Sequence, residues 1–358
     1  MTSITTSLPA STADHAPAPS VTPTAAEELE ARRWVQRLAR YREPCARRSL
    51  RELLLTVGPF LLLWTGISLG LAWGFWPSLL LVVPAAGFLV RMFMIQHDCG
   101  HGSFFRRRAP NDWLGRVLGV LTLTPYDYWR RSHAIHHAAS GSLSRRGQGD
   151  IHTLTVREYR SLGPWRRWLY RVFRSPMVLF GVGPIYLFVL QHRLPVGLMR
   201  AGREPWISTM ATNLAIGVLV AVLASLVGIW ELLLIHGPIV LLAGAAGIWL
   251  FYVQHQFEDT YWEDDGQWSF HLAAVRGSSH YDLPAVLRWF TANIGIHHVH
   301  HLCSRIPSYR LGEVLRDHPE LGAVSRVTLW QSLGCWRLAL WDEETRRLIG
   351  FREAHAKA

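Results

Sequence analysis

Four long apolar stretches constrain the fold of this 358-residue chain more than any other feature. They are residues 53–73, 75–96, 207–230 and 232–254. Each is close to the length of about 20 residues that an α-helix needs to cross a bilayer. Only Gly74 separates the first two, and Glu231 and His236 mark the break between the other two. The sequence therefore predicts four membrane-spanning helices in two hairpins.

The arginines predict the orientation of these helices in the membrane. They supply almost all of the basic charge, because Lys357 is the single lysine of the chain. Residues 97–206 contain 17 arginines and six acidic residues, and eight more arginines precede residue 52. The two hairpin turns contain neither Lys nor Arg. By the positive-inside rule, the N-terminal region, residues 97–206 and the C-terminal region face the cytoplasm. This topology accounts for the formal net charge of +11 and argues against a nucleic-acid partner.

The chain divides into three predicted parts. Residues 1–30 are rich in Ser, Thr, Ala and Pro and lack an apolar run, which predicts a disordered tail rather than a signal peptide. Residues 31–320 form the main domain, and residues 321–358 form a cytosolic C-terminal segment. The four cysteines have no CxxC spacing, so we expect reduced thiols.

Nine of the 18 histidines fall into three short motifs outside the apolar stretches, on the predicted cytoplasmic side. The motifs are HDCGH (97–101), HAIHH (133–137) and HHVHH (297–301), and their eight candidate ligands are His97, His101, His133, His136, His137, His297, His300 and His301. Residues three or four apart on a helix share a face, so each motif is expected to direct these histidines at one ion. Imidazole binds Zn, Cu, Fe and Ni, which leaves the metal open. Eight imidazoles exceed the needs of one tetrahedral ion, so two metals are predicted.

The three motifs in their context, HDCGHGSFF, HAIHHAASG and NIGIHHVHHL, resemble the histidine boxes of the membrane fatty acid desaturases. The resemblance covers roughly residues 40–315. Asp98, Cys99 and Gly100 make the first motif similar to the methyl-end (Δ12/omega-6 or omega-3) desaturases rather than to the Δ9 acyl-CoA type. The third motif begins with His297, not with the glutamine of front-end desaturases. No HPGG motif of a fused cytochrome b5 is found in the sequence.

This resemblance implies a non-haem di-iron enzyme with two Fe ions and O2 as co-substrate. The implied reaction inserts a cis double bond, expected at Δ12 of an oleoyl-type chain, into an acyl lipid or a chain on an acyl carrier. Electrons would come from a separate donor such as ferredoxin or cytochrome b5. The implied location is the bacterial inner membrane. An unactivated C–H bond requires a metal–oxygen oxidant, so no catalytic residues beyond the metal ligands are expected.

Two further histidines near the motifs have different expected roles. His255 lies at the cytoplasmic end of the fourth apolar stretch, where related desaturases supply an additional ligand, so the resemblance implies a ninth ligand there. An interfacial, hydrogen-bonded histidine is the alternative. His298 directly follows His297 and faces away from a shared helical site, which predicts a solvated residue or one that supports a ligand.

Charged residues near the motifs are candidates for supporting roles. A carboxylate can fix the tautomer of a ligand histidine through its second nitrogen, and the candidates are Asp98, Asp127, Glu258 and Asp259. An ordinary capping or solvated role stays open for each. Arg130 and Arg131 precede the second motif and are candidates for contact with a lipid or carrier phosphate. The alternative is that these two arginines only help to set the orientation of the membrane spans.

The predicted fold is an all-α integral membrane protein with four spans in two hairpins and a cytosolic helical cap that carries the metals. The short apolar run at 178–190 is predicted as an interfacial or re-entrant helix, since it is too short to cross. Two other functions stay open: a di-iron hydroxylase or ketolase of a lipid or carotenoid, and a metal transporter or sensor. A transporter would place its ligands inside the spans near the bilayer midplane.

Overall fold

The computed structural model describes residues 25–147 and 149–356, so most of the predicted N-terminal tail lies outside the described residues. The first helix, α1 (Ala25–Leu38), begins inside the segment predicted as tail. Two acidic residues in its first turn attach it to the cap: Glu27 pairs with Arg276, and Glu28 accepts hydrogen bonds from Ser269 and, at 3.1 Å, from His271. Residues 25–30 therefore belong to a helix that contacts the cap, which their composition alone does not predict.

Four helices of the described chain are long and apolar enough to cross a membrane. They are α2 (Ala46–Ala72), α3 (Val82–His101, preceded by a 3₁₀ turn at Trp76–Leu81), α8 (Arg203–Val227) and α9 (Ile229–His255). The predicted all-α membrane fold with four spans is confirmed. α3 is the central helix of the assembly and packs against both α2 and α9.

Glycines form the turns of both hairpins. Gly74 has φ +74°, and the second turn is at Gly228 with φ +88°, a region that glycine enters without steric cost. The prediction of the second turn near Glu231 and His236 was wrong, because both residues lie in the first turns of α9. Pro238 also lies inside α9, as proline can within a membrane-spanning helix whose neighbours support the backbone.

Shorter helices build the cap and the connections. They are α4 (Arg108–Leu121), α5 (Tyr126–Ala139), α6 (Val156–Ser161), α7 (Pro164–Phe173), α10 (Phe270–Arg276), α11 (Ala285–Phe290), α12 (His297–Leu302), α13 (Ser308–Asp317), α14 (Leu329–Cys335) and α15 (Phe351–Ala356). Short 3₁₀ turns occur at Ala39–Tyr41, Gln191–Arg193 and Pro319–Ala323.

Residues 177–193 continue from α7 after a bend of 54°. They contain two π-helical segments, Met177–Val182 and Ile185–Leu190, which pack against α9. Together with α7 they are apolar enough for a broken span or a re-entrant loop. The expectation of an interfacial or re-entrant helix over 178–190 therefore stays a prediction.

Five short strands connect the C-terminal segment to the rest of the described chain. They are β1 (Leu154–Thr155), β2 (His280–Asp282), β3 (Arg326–Thr328), β4 (Leu340–Asp342) and β5 (Arg347–Ile349). β3 runs parallel to β2, and β4 lies between a parallel β1 and an antiparallel β5. Residues after 320 thus pair with strands of the preceding segment, and the division of the chain at 320 stays a prediction.

Candidate metal centre

Four helices bring the histidines of all three motifs to one place. The first motif ends α3, the second lies in α5, the third opens α12, and His255 is the last residue of α9. Helices α3 and α9 therefore continue beyond their apolar stretches, and their ends project histidines into the cap. The other two helices supply the opposing imidazoles from cap segments distant in sequence.

The first group, named cluster A, contains His97, His101, His133, His137 and His300. One ring nitrogen from each lies within 4.8 Å of the other four. The Nε2 atom of His133 is 3.0 Å from that of His101 and 3.1 Å from that of His137. The Nε2 atoms of His137 and His300 are also 3.1 Å apart. Five imidazoles thus converge on one point.

The second group, named cluster B, contains His136, His255, His297 and His301, and all four are buried. The Nε2 atom of His255 is 3.2 Å from that of His136 and 3.1 Å from that of His297. His297 and His301 are again 3.1 Å apart at Nε2. His255, the histidine that stands outside the motifs, is thus in the middle of cluster B.

The second and third motifs each contribute to both clusters. In α5, His133 and His137 belong to cluster A and His136 to cluster B, whereas in α12 His300 belongs to cluster A and the pair His297 and His301 to cluster B. The expectation that each motif faces one ion was wrong for these two motifs, whereas His97 and His101 of the first motif both belong to cluster A. Positions i+3 and i+4 point about 100° apart around a helix, so a helix between two sites serves both.

The nitrogen spacing fits metal ions. Imidazole nitrogens bind metals such as zinc at about 2.0–2.1 Å, and two neighbouring ligands on one ion are then about 3 Å apart. The Nε2 separations of 3.0–3.2 Å match this value. Burial holds the pKa of His133, His137, His297, His300 and His301 well below the usual value, so these rings are neutral at pH 7. Neutral imidazoles offer the lone pair that a metal requires.

The second ring nitrogen of two candidate ligands has a fixed acceptor. Nδ1 of His136 bonds to the carboxylate of Asp150, and Nδ1 of His255 donates to the Gly277 carbonyl at 3.0 Å. These bonds place the proton on Nδ1 and direct the Nε2 lone pair into cluster B. Sequence reasoning missed Asp150. It lies in a loop after the second motif, where no helical spacing indicates that its side chain points at a histidine.

The four predicted carboxylates have other positions. Asp98 has Oδ1 3.6 Å from His97 Nδ1, while its Oδ2 accepts the Ser308 amide at 2.8 Å. Asp127 pairs with Arg116 at 2.9 Å, away from the histidines. Glu258 pairs with Arg347 at 2.5 Å, and Asp259 is exposed on the loop after α9. The contact of Asp98 with His97 reaches a candidate ligand.

The two arginines predicted to contact a phosphate are engaged within the protein. Arg130 lies 3.1 Å from Asp112 and 3.7 Å from Asp127, so acidic neighbours balance its charge. Arg131 donates to the Ala201 carbonyl at 3.0 Å. Their contact with a lipid or carrier phosphate stays a prediction.

His298 turns away from both clusters, and it is buried rather than solvated. Its Nε2 donates to the Leu321 carbonyl at 2.9 Å, and burial lowers its pKa to about 3.

An aromatic ring supports one histidine of cluster A. The ring of Trp129 stacks on His133 with centroids 4.6 Å apart. A Cβ on Gly100 would lie 2.9 Å from this indole, so glycine in the first motif leaves room for the ring that supports His133.

Comparison with known proteins decides the family. The fatty acid desaturase family model matches residues 74–332, which include all three motifs and both clusters. The chain belongs to the fatty acid desaturase family. The resemblance drawn from the histidine motifs is confirmed, and this desaturase is an enzyme of that family.

Curated relatives support the same assignment over most of the chain. The desaturase is 45% identical to the fatty acid desaturase of Bacillus subtilis (strain 168), over 88% of this chain and 90% of that protein. It is 27% identical to an sn-1 acyl-lipid omega-3 desaturase (ferredoxin) of Synechocystis, over 81% of each chain. It is also 27% identical to an sn-1 oleoyl-lipid 12-desaturase of Anabaena variabilis, over 62% of this chain and 63% of that protein.

Proposed function

We propose that this desaturase inserts a cis double bond into the acyl chain of a membrane lipid, at Δ12 of an oleoyl-type chain, with O2 as co-substrate. The observation that carries the proposal is the pair of histidine clusters, A and B, on the ends of two spans and on two cap helices. The 12-desaturase named among the relatives acts on oleoyl lipid, which supports the position of the new bond.

Two iron ions would be held by the nine clustered histidines, five in cluster A and four in cluster B. These are His97, His101, His133, His137 and His300, and then His136, His255, His297 and His301. Together with O2, the irons supply the oxidant that removes two hydrogens from adjacent methylenes. All nine donors are imidazoles, which suit iron as well as zinc, copper and nickel.

The protein's own contribution is to orient ligands and exclude water. Asp150 and the Gly277 carbonyl keep His136 and His255 in the tautomer that presents Nε2. Trp129 covers one face of His133, and the histidines of cluster B are 1–6% exposed. A buried site also keeps water from competing with the acyl chain.

Electrons would arrive from a separate donor such as ferredoxin or cytochrome b5, on the cytoplasmic side of a bacterial inner membrane. Ferredoxin appears in the name of the Synechocystis relative. The arginine distribution supports a cytoplasmic location for the cap and both chain ends.

The Δ12 position has a physical rationale. An apolar tunnel discriminates one methylene by only about 1–3 kcal/mol, so it measures chain length poorly. The kink of an existing cis double bond fixes the position of the acyl chain more strongly than chain length does. We therefore expect a monounsaturated substrate, with the second double bond placed three carbons closer to the methyl end.

Expression in a bacterium that makes no diunsaturated acids tests the proposal. Cells supplied with oleate and expressing the wild type should accumulate 9,12-octadecadienoate, located by gas chromatography and mass spectrometry of derivatives that report double-bond position. Cells expressing His301→Ala at a matched membrane level serve as the control and should contain none. A monoene formed from stearate would contradict the methyl-end assignment, and a hydroxy acid would contradict desaturation.

A further inference from the structure

A cavity lies beside α3, on a face of that helix distinct from its histidines. It has a volume of about 300 Å³ and is enclosed by the start of α2, by α3, by α11 and by the start of α13. Four arginines line it, Arg48, Arg51, Arg91 and Arg288, against one acidic side chain, Glu52. None of these residues takes part in cluster A or B.

Two of the four guanidinium groups are already engaged by the protein. Buried Arg91 donates to the Glu52 carboxylate and to the Trp289 carbonyl. Arg48 donates to Glu313 and to the Tyr309 carbonyl. These bonds fix the walls of the cavity. The charges of Arg91 and Arg48 are balanced by Glu52 and Glu313.

The other two arginines have weaker ionic partners or none among the described residues. Arg51 reaches Glu52 only at 3.6 Å, and its side chain is 68% exposed. Arg288 is exposed on α11 and forms no ion pair within the described part of the chain. The rim of the cavity therefore presents Arg51, which shares the Glu52 carboxylate with Arg91, and Arg288, which has no ion pair among the described residues. The Nε of Arg91 is in addition a buried donor without a partner among the described residues.

The surroundings place these charges next to lipid. Leu54 and Leu55, one turn after Arg51 on α2, are exposed, as are Val286 and Leu287 next to Arg288. In a membrane protein, exposed apolar side chains of this kind face acyl chains, and arginines at their end lie at the level of the head groups. The cavity thus opens where a phospholipid carries its phosphate.

We propose that this cavity binds the phosphodiester head group of an anionic phospholipid. The planar guanidinium forks of Arg51 and Arg288 match phosphate oxygens in two parallel hydrogen bonds. A volume near the lower end of the about 300–1,000 Å³ range of ligand sites suits a head group, with the acyl chains outside on the exposed leucines. Phosphatidylcholine would bind less well, because its quaternary ammonium enters a site that is already positive.

Lipid retention by the purified full-length protein tests this assignment without using turnover. Native mass spectrometry after exchange into detergent with equal phosphatidylglycerol and phosphatidylcholine should show the wild type retaining phosphatidylglycerol. The double variant Arg51→Ala/Arg288→Ala should retain about twentyfold less, since each arginine near a membrane surface contributes a few-fold in affinity. The double variant Arg51→Lys/Arg288→Lys should recover part of the retention.

The control is Arg352→Ala, an exposed arginine on α15 that does not line the cavity, which should retain phosphatidylglycerol like the wild type. Equal retention by wild type and the double alanine variant would overturn the proposal, as would equal retention of the two lipids by the wild type. Inorganic phosphate is the third arm. If it stabilises the wild type but not the alanine variant, while phosphatidylglycerol is not retained, the cavity binds free anions and the lipid assignment fails.

Discussion

The Nε2 atom of His136 in α5 lies 3.2 Å from that of His255, the last residue of α9, although 119 positions separate them in the chain. Cluster B is therefore incomplete without the fourth membrane span. Removal of His255 would leave three imidazoles in cluster B and leave cluster A with its five. The fourth span thus acts both as a membrane anchor and as the support of a candidate ligand.

Replacing His255 by Ala should lower turnover by more than about 100-fold, beyond the 10–100-fold loss typical of residues that only support a ligand. His298→Ala is the matched comparison in the same buried region. It loses the bond to the Leu321 carbonyl, so it should destabilise the protein by about 1–3 kcal/mol but keep a substantial fraction of turnover. Diene formation normalised to membrane protein level measures both. A His298→Ala variant as inactive as His255→Ala would contradict the division of roles.

Asp150→Ala should lower activity by about 10–100-fold, because His136 then loses the acceptor that fixes its tautomer. Asp150→Asn should be milder, since the amide oxygen still accepts from Nδ1. Asp264→Ala removes an exposed carboxylate from a neighbouring loop and provides the control. Activity and metal content measured together test the assignment, and unchanged metal content in Asp150→Ala would argue against it.

Gly100→Ala should reduce stability by about 1–3 kcal/mol and lower metal content, because the new Cβ would overlap the indole of Trp129, which supports His133. Alanine has the higher helix propensity by about 1 kcal/mol, so any loss comes from this contact. Gly58→Ala, with nothing within 4 Å of its new Cβ, should be neutral or slightly stabilising. Thermal unfolding in detergent compares the two; equal behaviour would show that Trp129 yields without cost.

Much of this architecture was predictable from local pattern. Hydropathy located the four spans, and the recurrence of histidines at helical spacing located eight of the nine candidate ligands. The end of a span is less visible: Glu231 and His236 suggested a turn, whereas the chain turns at Gly228, whose φ of +88° selects glycine. Polar residues within the first turns of α9 do not end that helix.

The grouping of the ligands was not predictable from spacing. His133, His136 and His137 lie on one helix, and only the placement of α5 between two sites sends His136 to cluster B. Asp150 was beyond sequence reasoning for a related reason. Its contact with His136 depends on the path of a loop, and a loop has no periodicity from which side-chain direction follows.

Both hairpin turns should face away from the cytoplasm. In a Cys45→Ser background, which removes the exposed native thiol, Trp73→Cys and Trp230→Cys place single thiols at turn positions that are 81% and 80% exposed. An impermeant maleimide should label both in intact spheroplasts. The arginine-rich segments are expected to stay in the cytoplasm, which places the two turns on the outer face of the membrane. Arg157→Cys, in the segment between the hairpins, is the control and should react only after lysis. The reverse pattern would invert the topology.

Iron content of the purified enzyme tests the central claim most directly. Protein expressed in iron-replete medium should contain two irons per chain by inductively coupled plasma mass spectrometry, one for each histidine cluster. His255→Ala, which leaves three imidazoles in cluster B and all five in cluster A, should contain about one. A single iron in the wild type, or stoichiometric zinc under these conditions, would contradict the two-iron account.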